Sequence, residues 1–361
     1  MNIAFFGSSL VSAYWNGAAT YYRGLLAALH ARGHRLTFYE PDAYERQQHR
    51  DIADPPWARV VVYPAGGPEG LERCLKDARS ADLVVKASGV GVFDEELERE
   101  VAALRSPSRL VAFWDVDAPA TLDRVEKDER DPFRASIPRY DVVFTYGGGP
   151  NVVRRYVALG AARCVPVYNA VDPLVHHPAP RDARLEATLG LVANRLPDRE
   201  ARIEEFFTRA ARLYPAGCFL IGGNGWDGHD WPENVRAMGH VYTEQHNAFN
   251  STVEVVLNVN RDSMAKAGYS PATRVFEAAG AGACMITDAW EGLSQFLEPG
   301  SEILVAHDGA EVVEHLEKLT PEGRQRIGAA ARRRVLAEHT YARRAELVDF
   351  VLAGSSVAEA S

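Results

Sequence analysis

The run VEVVLNVNRDSMAKAGYSPATRVFEAAGAGACMITD, residues 253–288, decides the fold. An apolar stretch of strand length, Val253 to Asn258, gives way to a polar, irregular segment from Asn260 to Tyr269. A helical period then holds from Pro271 to Ala281, and a second apolar strand runs from Ala283 to Thr287. Strand, helix and strand in that order form one βαβ unit, which implies a parallel sheet covered by helices. The same alternation lies upstream in strand Ala187 to Ala193, helix Asp198 to Leu213 and strand Cys218 to Ile221, so the C-terminal half is a Rossmann-like domain.

The first half repeats the pattern. Strand Asn2 to Gly7 leads to helix Ala18 to Ala31, strands Arg35 to Tyr39 and Val60 to Tyr63, and helix Pro68 to Arg79. Strands Asp82 to Lys86, Leu110 to Trp114 and Asp141 to Tyr146 follow, then helix Asn151 to Leu159 and strand Cys164 to Tyr168. Between Asn169 and Arg184 there is neither period, only prolines and the adjacent pair His176 and His177, as an interdomain connection requires. The expected division is therefore 1–177, an N-terminal acceptor domain, and 178–340, a C-terminal donor domain. Residues 341–361 form a last helix, free to cross back to the N-terminal domain, and a small-residue tail.

Length and composition agree. A chain of 361 residues exceeds what one core usually supports, and its 25% charged residues and 47% hydrophobic residues are ordinary for a folded protein. A formal charge of -9 repels nucleic-acid phosphates and anionic lipid, which disfavours nucleic acid as a partner. Cys74, Cys164, Cys218 and Cys284 form no CxxC pair, so no zinc or redox motif is encoded, and they read as core thiols. Met1 leads straight into the first strand and no apolar run reaches the length of a membrane span. The expected location is the cytoplasm.

Open parallel sheets bind ligands beyond the carboxyl ends of their strands, so the loops there carry the chemistry. Ser270, Pro271, Ala272 and Thr273 read as an N-cap and first turn, and free N–H groups and the helix dipole at such a terminus favour a phosphate. Arg274 adds a permanent cation in the next turn, and Glu277, on the same face, can accept two hydrogen bonds from the vicinal hydroxyls of a ribose. The competing reading is an exposed i,i+3 ion pair, against which stands the small, apolar run Ala278 to Ala283. Arg195, directly after the first strand of the domain, and Arg199, in the first turn of the next helix, are further phosphate ligands or merely solvated charges. The loop Gly222 to Gly225 either approaches a base or turns the chain. In the first half the cleft loops are Ser8 to Gly17 and Asp115 to Pro119. Asp117, with Asp115 two residues before it, either supplies a general base or binds acceptor hydroxyls, or else it only caps a helix and forms the turn before Pro119. No third ligand accompanies that pair, so no metal is expected, and the turn after Gly7 lacks the later glycines of GxGxxG.

The run Leu257 to Arg261, the segment Ser270 to Ala278, Ile286-Thr287-Asp288 and the C-terminal His339 to Arg344 together resemble the CgeB-type glycosyltransferases. Asn169-Ala170-Val171-Asp172-Pro173 with His177-Pro178 is similar to the interdomain segment of the broader retaining GT-B enzymes. The resemblance implies the GT-B fold, two Rossmann-like domains with parallel sheets facing a central cleft. It also implies transfer of a sugar from a nucleoside diphosphate sugar to an acceptor hydroxyl, with no cofactor or metal. By it, Glu277 holds the donor ribose, Arg195 and Arg199 stand at phosphate-binding positions, and Tyr269 replaces the family's first glutamate. A sugar-nucleotide epimerase and a non-catalytic nucleotide-sugar-binding protein remain as alternatives.

Overall fold

Every residue from Leu83 to Ala87 is buried, as a strand covered on both faces must be. The computed structural model describes residues 1–354, so the tail expected at 354–361 lies from 355 onward outside the described residues. The chain divides into two units. In the first, seven parallel strands are β1 (Asn2–Phe6), β2 (Arg35–Asp42), β3 (Ala58–Pro64), β4 (Leu83–Ala87), β5 (Leu110–Asp115), β6 (Val142–Thr145) and β7 (Cys164–Pro166). Their order is β3-β2-β1-β4-β5-β6-β7, so the winding reverses between β1 and β4. The helices are α1 (Ala19–Ala31), α2 (Pro68–Ala78), α3 (Asp94–Ala103), α4 (Ala118–Lys127), α5 (Pro132–Ser136) and α6 (Gly149–Ala158). Helix α3, with Asp94, Glu95 and Glu96 in its first turn, was hidden by its low apolar content; only Leu97, Val101 and Ala102 anchor it in the core.

The second unit, Asn169–Thr340, repeats the scheme. Its strands β8 (Leu189–Val192), β9 (Phe219–Gly222), β10 (Val235–Ala237), β11 (Val255–Asn258), β12 (Met285–Asp288) and β13 (Leu304–Ala306) lie in the order β10-β9-β8-β11-β12-β13, all parallel. Helix α7 (Pro197–Ile203) passes through a π-helical turn, Glu204–Thr208, into α8 (Arg209–Leu213). There follow α9 (His246–Thr252), α10 (Asp262–Ala267), α11 (Thr273–Gly280), α12 (Gly309–Lys318) and α13 (Pro321–Glu338). The last helix, α14 (Tyr341–Leu352), belongs to the first unit and lies against α1. Gly24 makes room for the Tyr341 ring, since a Cβ there would stand 2.2 Å from it. Asp349 pairs with both Arg32 and His34.

The division falls between Tyr168 and Asn169, ahead of the boundary expected near Pro178. Residues 169–177 go with the second unit because they are tied to it. The buried Asn169 amide donates to the Pro271 carbonyl at 3.1 Å, and the Val171 N–H donates to the His339 carbonyl at 2.8 Å. Gly280 lets the segment close on α11, for a Cβ at Gly280 would meet Val171 Cγ2 at 2.7 Å and His176 Cβ at 3.1 Å. Three of the cysteines are buried, as expected; Cys218 is exposed, because it stands one residue before β9 enters the core.

Candidate functional site

In the second unit the strand order reverses between β8 and β11, and the carboxyl ends at such a reversal are where open α/β sheets bind ligands. The loops there are held firmly. The Asp198 carboxylate accepts from Arg261 Nε at 3.0 Å and Ser263 Oγ at 2.6 Å, fastening the chain after β11 to α7. Asp288, fully buried at the end of β12, accepts from Arg202 at 2.6 Å and from the Asn260 N–H at 3.1 Å. Gly223 sits at a close approach of backbone to backbone: a Cβ there would lie 2.1 Å from the Ala193 carbonyl oxygen. The loops after β8 and β9 are thereby joined, with the Arg195 N–H donating to the Asn224 carbonyl and Asn194 Oδ1 accepting from the Asn224 N–H, both at 2.9 Å.

Helix α11 begins at Thr273 with Ala272 at its N-cap position, not at Pro271 behind a serine cap. The Ser270 hydroxyl instead donates to the Gly268 carbonyl at 2.8 Å, and the φ angles of Gly268 and Tyr269, 69° and 44°, turn the chain just before the helix. The expected cap is spent on that turn, and no side chain closes the first turn of α11, which leaves its amides and dipole to an anion. The left-handed backbone of Tyr269 is an uncommon state for an aromatic residue. Its N–H donates to the Glu291 carbonyl at 2.6 Å, and its ring lies where a Cβ on Gly292 would approach within 2.2 Å.

Arg274 is half-buried, and among the described residues its guanidinium makes no hydrogen bond or ion pair. Burial pushes its pKa down to about 10; Glu277 acts against that shift and the nearby Arg199 adds to it. Two arginines that repel one another at an uncapped helix start make a place an anion would stabilise. Arg195 turns away to the rim: it is exposed, donates to Glu200 at 2.5 Å and lies 5.9 Å from the centre of the Trp226 ring.

Glu277 is not half of an exposed ion pair. It is 7% exposed, with His176 Nε2 3.8 Å from Oε1 and His246 Nδ1 3.6 Å from Oε2. Burial raises its pKa, but the neighbouring His246, His176 and Arg274 outweigh that and bring it down to about 2. These two histidines escaped the sequence reading; the one signal was the His176-His177 pair in the connecting segment. Among the described residues no cluster of three or more His, Cys, Asp or Glu groups is arranged to hold a metal ion.

In the first unit the paired aspartates part company. Asp115 is wholly buried and accepts from Ser88 Oγ, Thr121 Oγ1, Tyr156 Oη and the Asp117 N–H. Three of these donors reach Oδ1 and one, Tyr156, reaches Oδ2, so the carboxylate holds the loop together. Asp117 is half-buried at the N-cap position of α4, and its side chain does not cap that helix. Gly17 is exposed, with nothing within 4 Å of where a Cβ would stand, so packing does not require glycine there. The loop around it is tied by Asn16, which donates to the Ser9 and Ser12 carbonyls.

Solved structures share this architecture across nearly the whole chain. Sucrose-phosphate synthase from Thermosynechococcus elongatus superposes with a TM-score of 0.69 at 16% identity, over 98% of this chain and 100% of that one. The fold is GT-B. HepE from Anabaena, solved with UDP and glucose, is similar over 98% of this chain and 100% of its own, at 12% identity and a TM-score of 0.68. T4 phage BGT, solved with its UDP-glucose substrate, gives a TM-score of 0.60 at 10% identity over 97% of this chain and 98% of that one. Residues 199–348 of this GT-B chain, a stretch that includes Arg199, Arg274 and Glu277, match the family described as glycosyl transferase-like. No curated protein matches the chain in sequence. Among the described residues no helix is long and apolar enough to cross a membrane.

Proposed function

We propose that this GT-B chain is a glycosyltransferase that moves a sugar from a nucleoside diphosphate sugar to an acceptor hydroxyl, without a metal ion and with retention at the anomeric carbon. The observation that carries the reading is Arg274: a half-buried guanidinium with no hydrogen-bonding partner among the described residues, beside Arg199 and an uncapped helix start. Such a group stabilises the negative charge that grows on a departing diphosphate, the part a divalent metal plays in other enzymes. Glu277 accepts the ribose hydroxyls. Uridine diphosphate is the first nucleotide to assign, because HepE and T4 phage BGT were solved with UDP or UDP-glucose. Retention follows from the resemblance to retaining GT-B enzymes. In the transfer the bond from the anomeric carbon to the diphosphate oxygen breaks, the acceptor oxygen bonds to that carbon on the face the diphosphate leaves, as retention requires, and Asp117 takes the hydroxyl proton. The CgeB type is the member of the broader group whose segments this sequence resembles.

Melting of the protein with UDP, in the presence of a chelator, tests the donor site. UDP should raise the midpoint, and Arg274→Ala should weaken binding about ten- to a hundredfold, the worth of a charge-assisted phosphate contact. Asp117→Asn should keep the UDP dissociation constant and lower kcat/KM for transfer, since its contact is made in the transition state. A wild-type midpoint unmoved by UDP, or an Arg274→Ala variant that binds as tightly as wild type, overturns the reading.

A further inference from the structure

The surroundings of Glu277 contain more than a ribose ligand needs. His176 Nδ1 accepts the Asp172 N–H at 3.3 Å, so the neutral ring carries its proton on Nε2. That nitrogen belongs to a side chain 3% exposed, has no hydrogen-bond partner, and faces Glu277 Oε1 at 3.8 Å. His246, the first residue of α9, faces the other oxygen at 3.6 Å and keeps 25% of its side chain exposed. The two rings come from different parts of the second unit, His176 on the segment that closes over Gly280 and His246 at the start of α9. They meet the carboxylate one on each oxygen.

We propose that His176 and His246 are positioning residues for nucleotide recognition, facing the two oxygens of Glu277 at 3.8 and 3.6 Å so that the carboxylate keeps one orientation. Two parallel acceptors match the two O–H donors of a vicinal cis-diol, so the pair makes the site selective for a ribonucleotide over its 2′-deoxy counterpart. A carboxylate without these partners rotates, and a single remaining hydroxyl can satisfy it about as well as two. The proposal rests on the reading of the second unit as the donor-nucleotide site.

The test measures dissociation constants for UDP, 2′-deoxyuridine diphosphate and inorganic diphosphate in the wild type and in the His176→Phe, His176→Gln, His246→Phe and Glu277→Gln variants. The wild type should prefer UDP to its deoxy form by about tenfold, the worth of one hydrogen bond to a charged acceptor. His176→Phe and His246→Phe should each bring that ratio down to about threefold or less while inorganic diphosphate binds as before. His176→Gln, whose amide donates from a similar reach, should restore most of the preference, which a purely structural histidine would not require. If both phenylalanine variants keep the wild-type ratio while Glu277→Gln abolishes it, the positioning role is overturned and the ribose reading stands. If Glu277→Gln keeps the ratio, the ribose reading itself fails. Should His176→Phe not fold, the less buried His246 decides the matter alone.

Discussion

Glu277 is a buried carboxylate that is nonetheless held ionised, and the balance of effects on it has a consequence for stability. Its pKa falls from the usual 4.5 to about 2 because His246, His176 and Arg274 outweigh the burial penalty. A carboxylate whose folded pKa is depressed stabilises the fold above its unfolded pKa, and that contribution is lost as pH falls through the folded value. Glu277 therefore stabilises the second unit fully at neutral pH, by on the order of 3 kcal/mol, and progressively less between about pH 4.5 and pH 2. Glu277→Gln, which carries no charge to titrate, should lower the urea midpoint at pH 7 and narrow its deficit against wild type at pH 3. A deficit of equal size at both pH values would show that the ionised carboxylate contributes nothing. At this scale the sequence revealed the residue types but not their state. Asp115 and Asp117 look alike in Asp115-Val116-Asp117, and it is donors brought from elsewhere, Ser88 just after β4, Thr121 of α4 and Tyr156 of α6, that bury one of them in hydrogen bonds.

Among the elements, α11 connects sequence to site most directly. Its small residues let neighbouring backbone come close, and Gly280, one turn beyond Glu277, is where residues 169–177 close on it. Adding a side chain there forces either the helix or the segment to shift, and overpacking of this kind costs roughly 1 to 3 kcal/mol. Gly280→Val should lower stability by that order and weaken UDP binding, because it displaces His176 from Glu277. A Gly280→Val protein with wild-type melting and UDP affinity would mean the segment can move without consequence. The apolar run into Asn258, the helix carrying Arg274 and Glu277 and the return strand were legible because hydrophobic period fixes them locally. The helix start was not: Ser270-Pro271 has the form of a cap, and the positive φ of Gly268 and Tyr269 that redirects Ser270 leaves no mark in composition. Nor were His176 and His246, which reach Glu277 only through packing between segments far apart in the chain.

The whole molecule comprises two Rossmann-like sheets, each with its own core, and the chain returns at its end so that α14 completes the first unit rather than the second. It is attached through Tyr341, which is 3% exposed and packs its ring over Gly24 of α1, through Asp349, which holds Arg32 and His34, and through the buried Ala345, Val348 and Val351. Removing the ring leaves a cavity inside the first unit alone, and an aromatic-to-alanine change in a core costs roughly 3 to 5 kcal/mol. The proposed nucleotide contacts, by contrast, lie among residues 195–277 of the second unit. Hydrogen exchange followed peptide by peptide separates the two effects, since local opening reports the stability of each region by itself. Tyr341→Ala should speed exchange in peptides covering α1 and β1 to β7, and saturating UDP should slow exchange around β8, β11 and α11 in both wild type and variant. UDP protection confined to the first unit would remove the donor site from Arg274 and Glu277. Unchanged exchange across the first unit in Tyr341→Ala would mean that α14 is held by its other contacts and not by the ring in the Gly24 notch.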